Sequence, residues 1–243
     1  MKTNQQFKNA ALDALRGNWG KAALVSLLYL IVEYAVSGPN FFQSIKMMQF
    51  RAEHHVSSIY QIASLYMDPE YQSLQQTANG VSGLSTLLYI LVLFPLSVGF
   101  INAMRRLLVF SENDLLGNTL HIAFQNYWHK VWGMLWMTIL TVLWGFLFII
   151  PGIIKSLSYA MTPFILEENP ELTASEAIHR SRMMMHGHKF DLFWLYLGFI
   201  GWIILSLLTL GIGFIWLYPY FQASVAGFYE EVKAEYAMNG GLD

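Results

Sequence analysis

One stretch limits what this chain can fold into. Val131 to Glu168 reads VWGMLWMTILTVLWGFLFIIPGIIKSLSYAMTPFILEE, apolar almost throughout, with a break at Pro151-Gly152 and Lys155 the charge inside it. As one helix it would run roughly 55 Å at 1.5 Å per residue, against about 30 Å of bilayer hydrocarbon. The chain must therefore turn within it. Pro151 has no backbone N–H to donate, and Gly152 tolerates the left-handed backbone of a tight reversal. The reading is a membrane hairpin hinged at IIPG. Composition agrees. Charged residues make up 12% of the 243 and hydrophobic ones 55%, whereas a water-soluble chain carries about 25% charged residues.

The other apolar runs follow the same logic. Residues 2–19 form a short amphipathic helix with Phe7, Ala11, Ala14 and Leu15 on one stripe, lying at the membrane surface and binding it weakly. Lys21 to Ser37 just reaches spanning length, and Gly38-Pro39 is expected to end it. Ala35-Val36-Ser37 could pass for a signal-peptidase site, but the polar segment ahead is too long for an ordinary n-region, so a retained anchor is expected. Residues 40–82 are the one long polar segment, an outer insertion expected to hold one or two short surface helices. Leu84 to Met104 is the second span, kinked at Pro95. Residues 111–129 form another amphipathic helix, with a stripe of Leu116, Leu120, Ala123, Phe124 and Tyr127 and a cap at Ser111 or Asn113. Thr173 with Glu176 is a capping box opening a third such helix, with Ala174, Ile178, Ser181 and Met185 on its apolar face and Gly187 ending it. Leu192 to Tyr229 is a second hairpin, hinged at Gly211 and Gly213.

The two hairpins align: Gly152 with Gly213, Tyr159 with Tyr220, Lys130 with Lys189. The N-terminal run has the same order, and Asn18-Trp19-Gly20-Lys21 resembles Tyr127-Trp128-His129-Lys130. The expected architecture is all-α: a polytopic transmembrane bundle of about six spans forming one integral membrane domain, residues 1–243. It is built from three interfacial-helix-plus-hairpin units, about residues 5–110, 111–168 and 172–235. Eleven of the fourteen Lys and Arg residues fall on one side of this arrangement; Lys46, Arg51 and Lys155 do not. The positive-inside rule then puts both termini in the cytoplasm of a cell-membrane protein.

Chemistry-bearing groups are few. The chain has no Cys, which excludes disulfides, thiolate metal sites and Cys nucleophiles. A net charge of −2 gives no basic field for nucleic acid. HExxH, GxSxG and phosphate-cradling glycine loops are absent. His54-His55 reads as solvated surface, and His186 and His188 as part of a basic interfacial cluster rather than a metal site. Arg105, Arg106, Arg180, Arg182, His186, His188 and Lys189 are the expected contacts to anionic headgroups. Trp19, Trp128, Trp132, Trp194, Trp216 and Tyr218 read as an aromatic belt. Glu33 and Lys155, at similar depth within spans, are a candidate intramembrane charge pair. No catalytic residue, cofactor or metal is expected.

RGNWGKAALVSLLYL, IIPGIIKSLSYAMTPFILEENP, ASEAIHRSRMMMHGHKFDLF and the closing LGFIGWIILSLLTLGIGFIWLYPYFQASVAGFYEE together resemble a bacterial family, domain of unknown function 975, found mainly in Firmicutes. The likeness covers nearly the whole chain outside residues 40–82. A weaker one, in the SR helix, Gly-His-Lys and hairpin order, is to the membrane region attached to some bacterial glycerophosphodiester phosphodiesterases, whose catalytic domain has no counterpart here. The resemblance implies a multi-pass membrane protein and no catalytic residues to carry over. Three function classes stand in order: a non-enzymatic scaffold, assembly or envelope component; a small-solute or lipid transporter or channel; and a membrane-embedded enzyme. Intramembrane polar groups for transport are scarce: Ser97, Asn102, Thr138, Thr141, Ser206 and Thr209. Expected partners are membrane lipids, with room for another membrane protein or a homo-oligomer.

Overall fold

A computed structural model describes residues 2–54 and 65–240. His55 of the expected histidine pair falls outside them. Among the described residues every regular element is helical. The chain, expected as one membrane domain, divides into two compact units, Met1–Tyr29 with Phe94–Asp243, and Leu30–Leu93.

In the first unit, helix α1 (Asn4–Leu15) opens on a capping box between Thr3 and Gln6. It buries Phe7, Ala11 and Leu15, with Phe7 against Phe228 at 5.6 Å between ring centroids. Fully burying a Phe or Leu side chain such as Phe7 or Leu15 stabilises by about 1.5–3 kcal/mol. So α1 is packed on protein rather than held weakly at a surface. Helix α4 (Phe94–Phe110) packs on α5 (Leu115–Phe124) because Gly99 has no Cβ: the Thr119 carbonyl occupies that place. Leu116, Leu120 and Phe124 of the expected stripe of α5 are turned outward, Phe124 being 68% exposed, while Ala123 is buried. Its buried face is Leu115, Thr119, Ile122 and Ala123, and its cap is Asp114, which accepts from the Gly117 N–H at 3.0 Å. An apolar stripe identifies a helix, but in lipid it does not say which face meets protein.

Helix α6 (Tyr127–Leu147) ends at Phe148, whose extended backbone (φ −159°, ψ 144°) turns the chain into α7 (Ile149–Tyr159). The hinge therefore lies three residues before Pro151. Pro151 sits inside the first turn of α7, where N–H groups lack intrahelical acceptors and a proline costs little. Gly152 is used for close approach instead of reversal: a Cβ there would stand 2.8 Å from the Gly145 Cα. After α8 (Thr162–Glu168), α9 (Ala174–Met184) begins with the Thr173–Glu176 capping box and buries Ala174, Ala177, Ile178 and Ser181. Gly187 has φ +91° in the turn that follows. Ser181 accepts from the Met161 N–H at 3.2 Å and donates to the Ser158 carbonyl at 2.9 Å. It thereby satisfies the backbone where α7 breaks into α8.

Helices α10 (Lys189–Leu197) and α11 (Ile200–Leu208) meet at Gly198-Phe199. Lys8 of α1 donates to the Gly198 carbonyl at 2.6 Å, and its ammonium lies 4.5 Å from the Phe199 ring centroid. A cation thus caps the C-terminus of α10. Leu210 (φ +53°) and Gly211 (φ +89°) then reverse the chain into α12 (Phe214–Met238). Gly213 repeats the role of Gly152: its Cβ would stand 2.7 Å from the Ser206 Cα, again seven residues earlier.

In the second unit, α2 (Trp19–Glu53), whose first turns belong to the first unit, runs straight through Gly38-Pro39. Pro39 removes one backbone hydrogen bond, which a membrane helix tolerates. Residues 40–53 therefore extend this helix, and residues 69–82 belong to a second long helix rather than to short surface helices. Helix α3 (Pro69–Leu88) starts at Asp68, which accepts from the Glu70 and Tyr71 N–H groups at 2.8 and 3.1 Å, with Pro69 as its first residue. Phe50, Leu65 and Tyr71 form a small core, and Arg51 donates to the Tyr71 hydroxyl at 3.1 Å. A π-helical turn, Tyr89–Leu93, precedes Pro95. Widening the backbone there relieves the clash a proline ring makes with the turn before it.

Among the described residues, five helical stretches are long and apolar enough to cross a membrane: Trp19–Glu53, Pro69–Phe110, Tyr127–Leu147, Ile149–Glu168 and Lys189–Leu208. Phe146, Ile149, Leu208 and Leu210, beside the two hairpin turns, are 78–95% exposed, as lipid-facing positions would be. The sixth expected span, α12, is not among the five. Tyr218, Pro219, Tyr220 and Gln222 lower its hydropathy, and it buries Leu217, Tyr220, Val225, Phe228, Tyr229 and Val232 in the bundle. A helix wrapped by others needs less apolar surface than one facing lipid.

Candidate functional site

Four helices of the first unit are tied together by a connected set of ion pairs. Arg105 of α4 is 7% exposed. Its Nη2 holds the Glu168 carboxylate of α8, and its Nε reaches Glu230 of α12 at 2.6 Å. Glu168 also takes Lys233 at 2.6 Å and the Tyr229 hydroxyl. Next to this, Glu167 takes Lys130 at 2.6 Å and Arg106 at 3.4 Å, and Arg106 reaches Glu112 at 3.9 Å. Lys130 is 1% exposed and donates as well to the Ile122 and Gln125 carbonyls at the end of α5. Four cations meet four carboxylates, so the lattice is neutral.

Local sequence explains the assembly. The charged pairs Arg105-Arg106, Glu167-Glu168 and Glu230-Glu231 close three apolar segments, and Lys130 opens another. Neighbouring residues on a helix point in different directions. In consequence one member of each of the first two pairs serves the Arg105–Glu168 group and the other the Lys130–Glu167 group. Burying such charges costs several kcal/mol per ion, offset only where each is paired and hydrogen-bonded; Glu168, with three donors on two oxygens, meets that condition. Asn102 adds a neutral tie, donating to the Pro163 carbonyl at 3.1 Å.

Of the expected headgroup contacts, Arg105 and Arg106 are engaged with these carboxylates. Arg182 and His186 are exposed and Lys189 half-buried. His188 stands between Asp191 (3.6 Å from Nδ1) and Glu235 (3.3 Å from Nε2), on opposite ring nitrogens that do not converge on one point. Arg180 donates to the Asn169 amide oxygen at 2.7 Å beside a cavity of about 320 Å³ lined by Ile165, Glu168, Asn169, Met184, Tyr229 and Lys233. Of the candidate charge pair, Lys155 in the first unit has its ammonium 4.5 Å from the Trp144 ring centroid. Glu33 belongs to the second unit, where its carbonyl accepts from Ser37 at 2.6 Å. Of the hydroxyls expected within the membrane, Ser97, Thr138, Thr141, Ser206 and Thr209 each bond a carbonyl three or four residues back.

Glu167, Glu168, Tyr229 and Glu230 were not singled out from sequence. The available signal is the pairing of opposite charges at the ends of apolar runs, which taken one residue at a time reads as anchoring to headgroups.

The family model described as a protein of unknown function (DUF975) matches residues 1–236, and the chain belongs to that family. No curated protein and no solved structure matches it.

Proposed function

We propose that this member of the DUF975 family is a multi-pass cell-membrane protein with both termini in the cytoplasm, acting without catalysis as a scaffold or assembly component. The observation that carries the reading is the neutral ion lattice. Its carboxylates are matched by cations and its members sit on four different helices, which suits a part that fixes helix ends in one arrangement. Three units of interfacial helix and hairpin fit the same picture. The turns ahead of α2, α6 and α10 each hold a residue with positive φ (Gly17, Asn126 and Gly187), and the two hairpins share the seven-residue glycine contact.

A second reading, lipid transport, is favoured by one observation. An apolar groove of about 390 Å³ is lined by Trp19, Trp202 and Trp216 together with Leu12, Leu205 and Leu217. Reconstitution in liposomes separates the two. The scaffold reading expects lipid scrambling and small-solute leakage equal to protein-free vesicles; scrambling above that level would replace it with transport. Orientation is tested through the absence of native cysteine. An impermeant maleimide on intact cells should label Ser44→Cys, and Ala237→Cys only after the cells are opened. Labelling of both from one side would remove the topology.

A further inference from the structure

The cavity beside Glu168 has an electrostatic character the lattice does not use. Two cations line it from different helices, Arg180 on α9 and Lys233 on α12. Arg180 is half-buried, and among the described residues no carboxylate lies within ion-pair distance of it; its one bond is to the neutral Asn169. The nearby Glu176, one turn back on the same helix, is committed to the Thr173 N–H and hydroxyl, both at 2.7 Å. A guanidinium carries five N–H donors and an ammonium three. Arg180 spends one on Asn169 and Lys233 one on Glu168, so both keep donors free beside the cavity. The one carboxylate in the lining, Glu168, has both oxygens taken, by Arg105 and Lys233 on one and Tyr229 on the other. The exposed Glu176 keeps its charge and acts on Arg180 from one turn away, so what the cavity offers is unspent N–H donors rather than a net positive charge.

We propose that this cavity binds a phosphate group, with Arg180 and Lys233 donating to its oxygens and, where the phosphate is esterified, Ile165 and Met184 against the substituent. The planar fork of Arg180 matches two phosphate oxygens at once, while Lys233 supplies a point charge. At about 30 Å³ per water molecule, the volume accommodates a phosphate and its first substituent atoms. The same chemistry belongs to a phospholipid headgroup and to free phosphate. Only the lipid source rests on the membrane reading above.

The delipidated protein in detergent distinguishes the sources by its thermal midpoint. It is titrated with inorganic phosphate against chloride at equal ionic strength, then with mixed micelles of phosphatidylglycerol against phosphatidylcholine. A rise with phosphatidylglycerol alone assigns a lipid headgroup; a rise with inorganic phosphate that phosphatidylglycerol does not exceed assigns free phosphate. In either case Arg180→Gln should weaken apparent affinity at least tenfold, and Asn169→Asp, which sets an internal carboxylate against Arg180, should do the same. Arg182→Gln, at an exposed cation two residues further along the same helix, should respond as wild type. The proposal is overturned if wild type responds to neither ligand, if Arg180→Gln and Asn169→Asp respond like wild type, or if Arg182→Gln loses the response equally. Because inorganic phosphate needs no membrane, that titration stays informative should the labelling experiment refute the topology.

Discussion

Arg105→Met is expected to destabilise the protein by roughly 3–5 kcal/mol, the cost of leaving buried charges without their partner. Arg105 is nearly out of contact with solvent, and its one guanidinium serves two carboxylates on two helices, Glu168 and Glu230. Methionine fills much of the same volume, so the loss is electrostatic rather than a cavity. Lys233 and Tyr229 stay on Glu168 and hold part of its charge; the Nε bond to Glu230 has no such reserve. Arg105→Lys should fall between, since an ammonium keeps the charge but lacks a fork that meets both acceptors. The measurement is denaturation in detergent, with Arg182→Gln as the exposed control. A methionine variant no less stable than that control would mean the lattice is not what holds the helix ends.

Much of this architecture was legible because membrane helices must satisfy their own backbone and keep apolar surface toward lipid. Long apolar runs, the Thr173–Glu176 box, the stop at Gly187 and the reversal at Gly211 all depend on neighbours within a few residues. Errors arose where a local rule met a longer-range one. Gly38-Pro39 has the composition of a helix end, yet α2 passes through it, since in a long helix one lost bond is outweighed by the turns on either side. Pro151-Gly152 has the composition of a hinge, but the turn is made at Phe148, and Gly152 is needed for the approach of α7 to Gly145. Glycine signals both a turn and a close contact, and the sequence does not separate them.

The charges were harder still. In water a charged residue at a helix end is ordinary, and in a membrane protein it reads as an anchor. Whether it meets a headgroup or a carboxylate on another helix depends on which ends share one place, and that is set by the packing of α4, α6, α8 and α12. Arg105 and Arg180 read alike in the sequence; the fold buries the first between two glutamates and sets the second, among the described residues, against the neutral Asn169.

The recurring lysine gives the sharpest contrast between position in sequence and position in the fold. Lys21 and Lys130 open corresponding helices, but Lys21 is exposed and donates to the Asn113 carbonyl at 3.2 Å. Lys130 is buried, closes the end of α5 through the Ile122 and Gln125 carbonyls, and neutralises Glu167 at 2.6 Å. Lys130→Met should therefore cost about 3–5 kcal/mol, leaving Glu167 with Arg106 alone at 3.4 Å, while Lys21→Met should stay within about 0.5 kcal/mol of wild type. Glu167→Leu strands Lys130 in turn. The double variant removes both charges and should be more stable than the sum of the single losses predicts, by roughly 0.5–3 kcal/mol, the usual range for residues in contact. It should not recover fully, because the two carbonyls at the end of α5 still lack their donor. Equal costs for Lys21→Met and Lys130→Met would show that the lysine serves the repeat rather than the lattice, and strictly additive losses at Lys130 and Glu167 would show that the pair is not coupled.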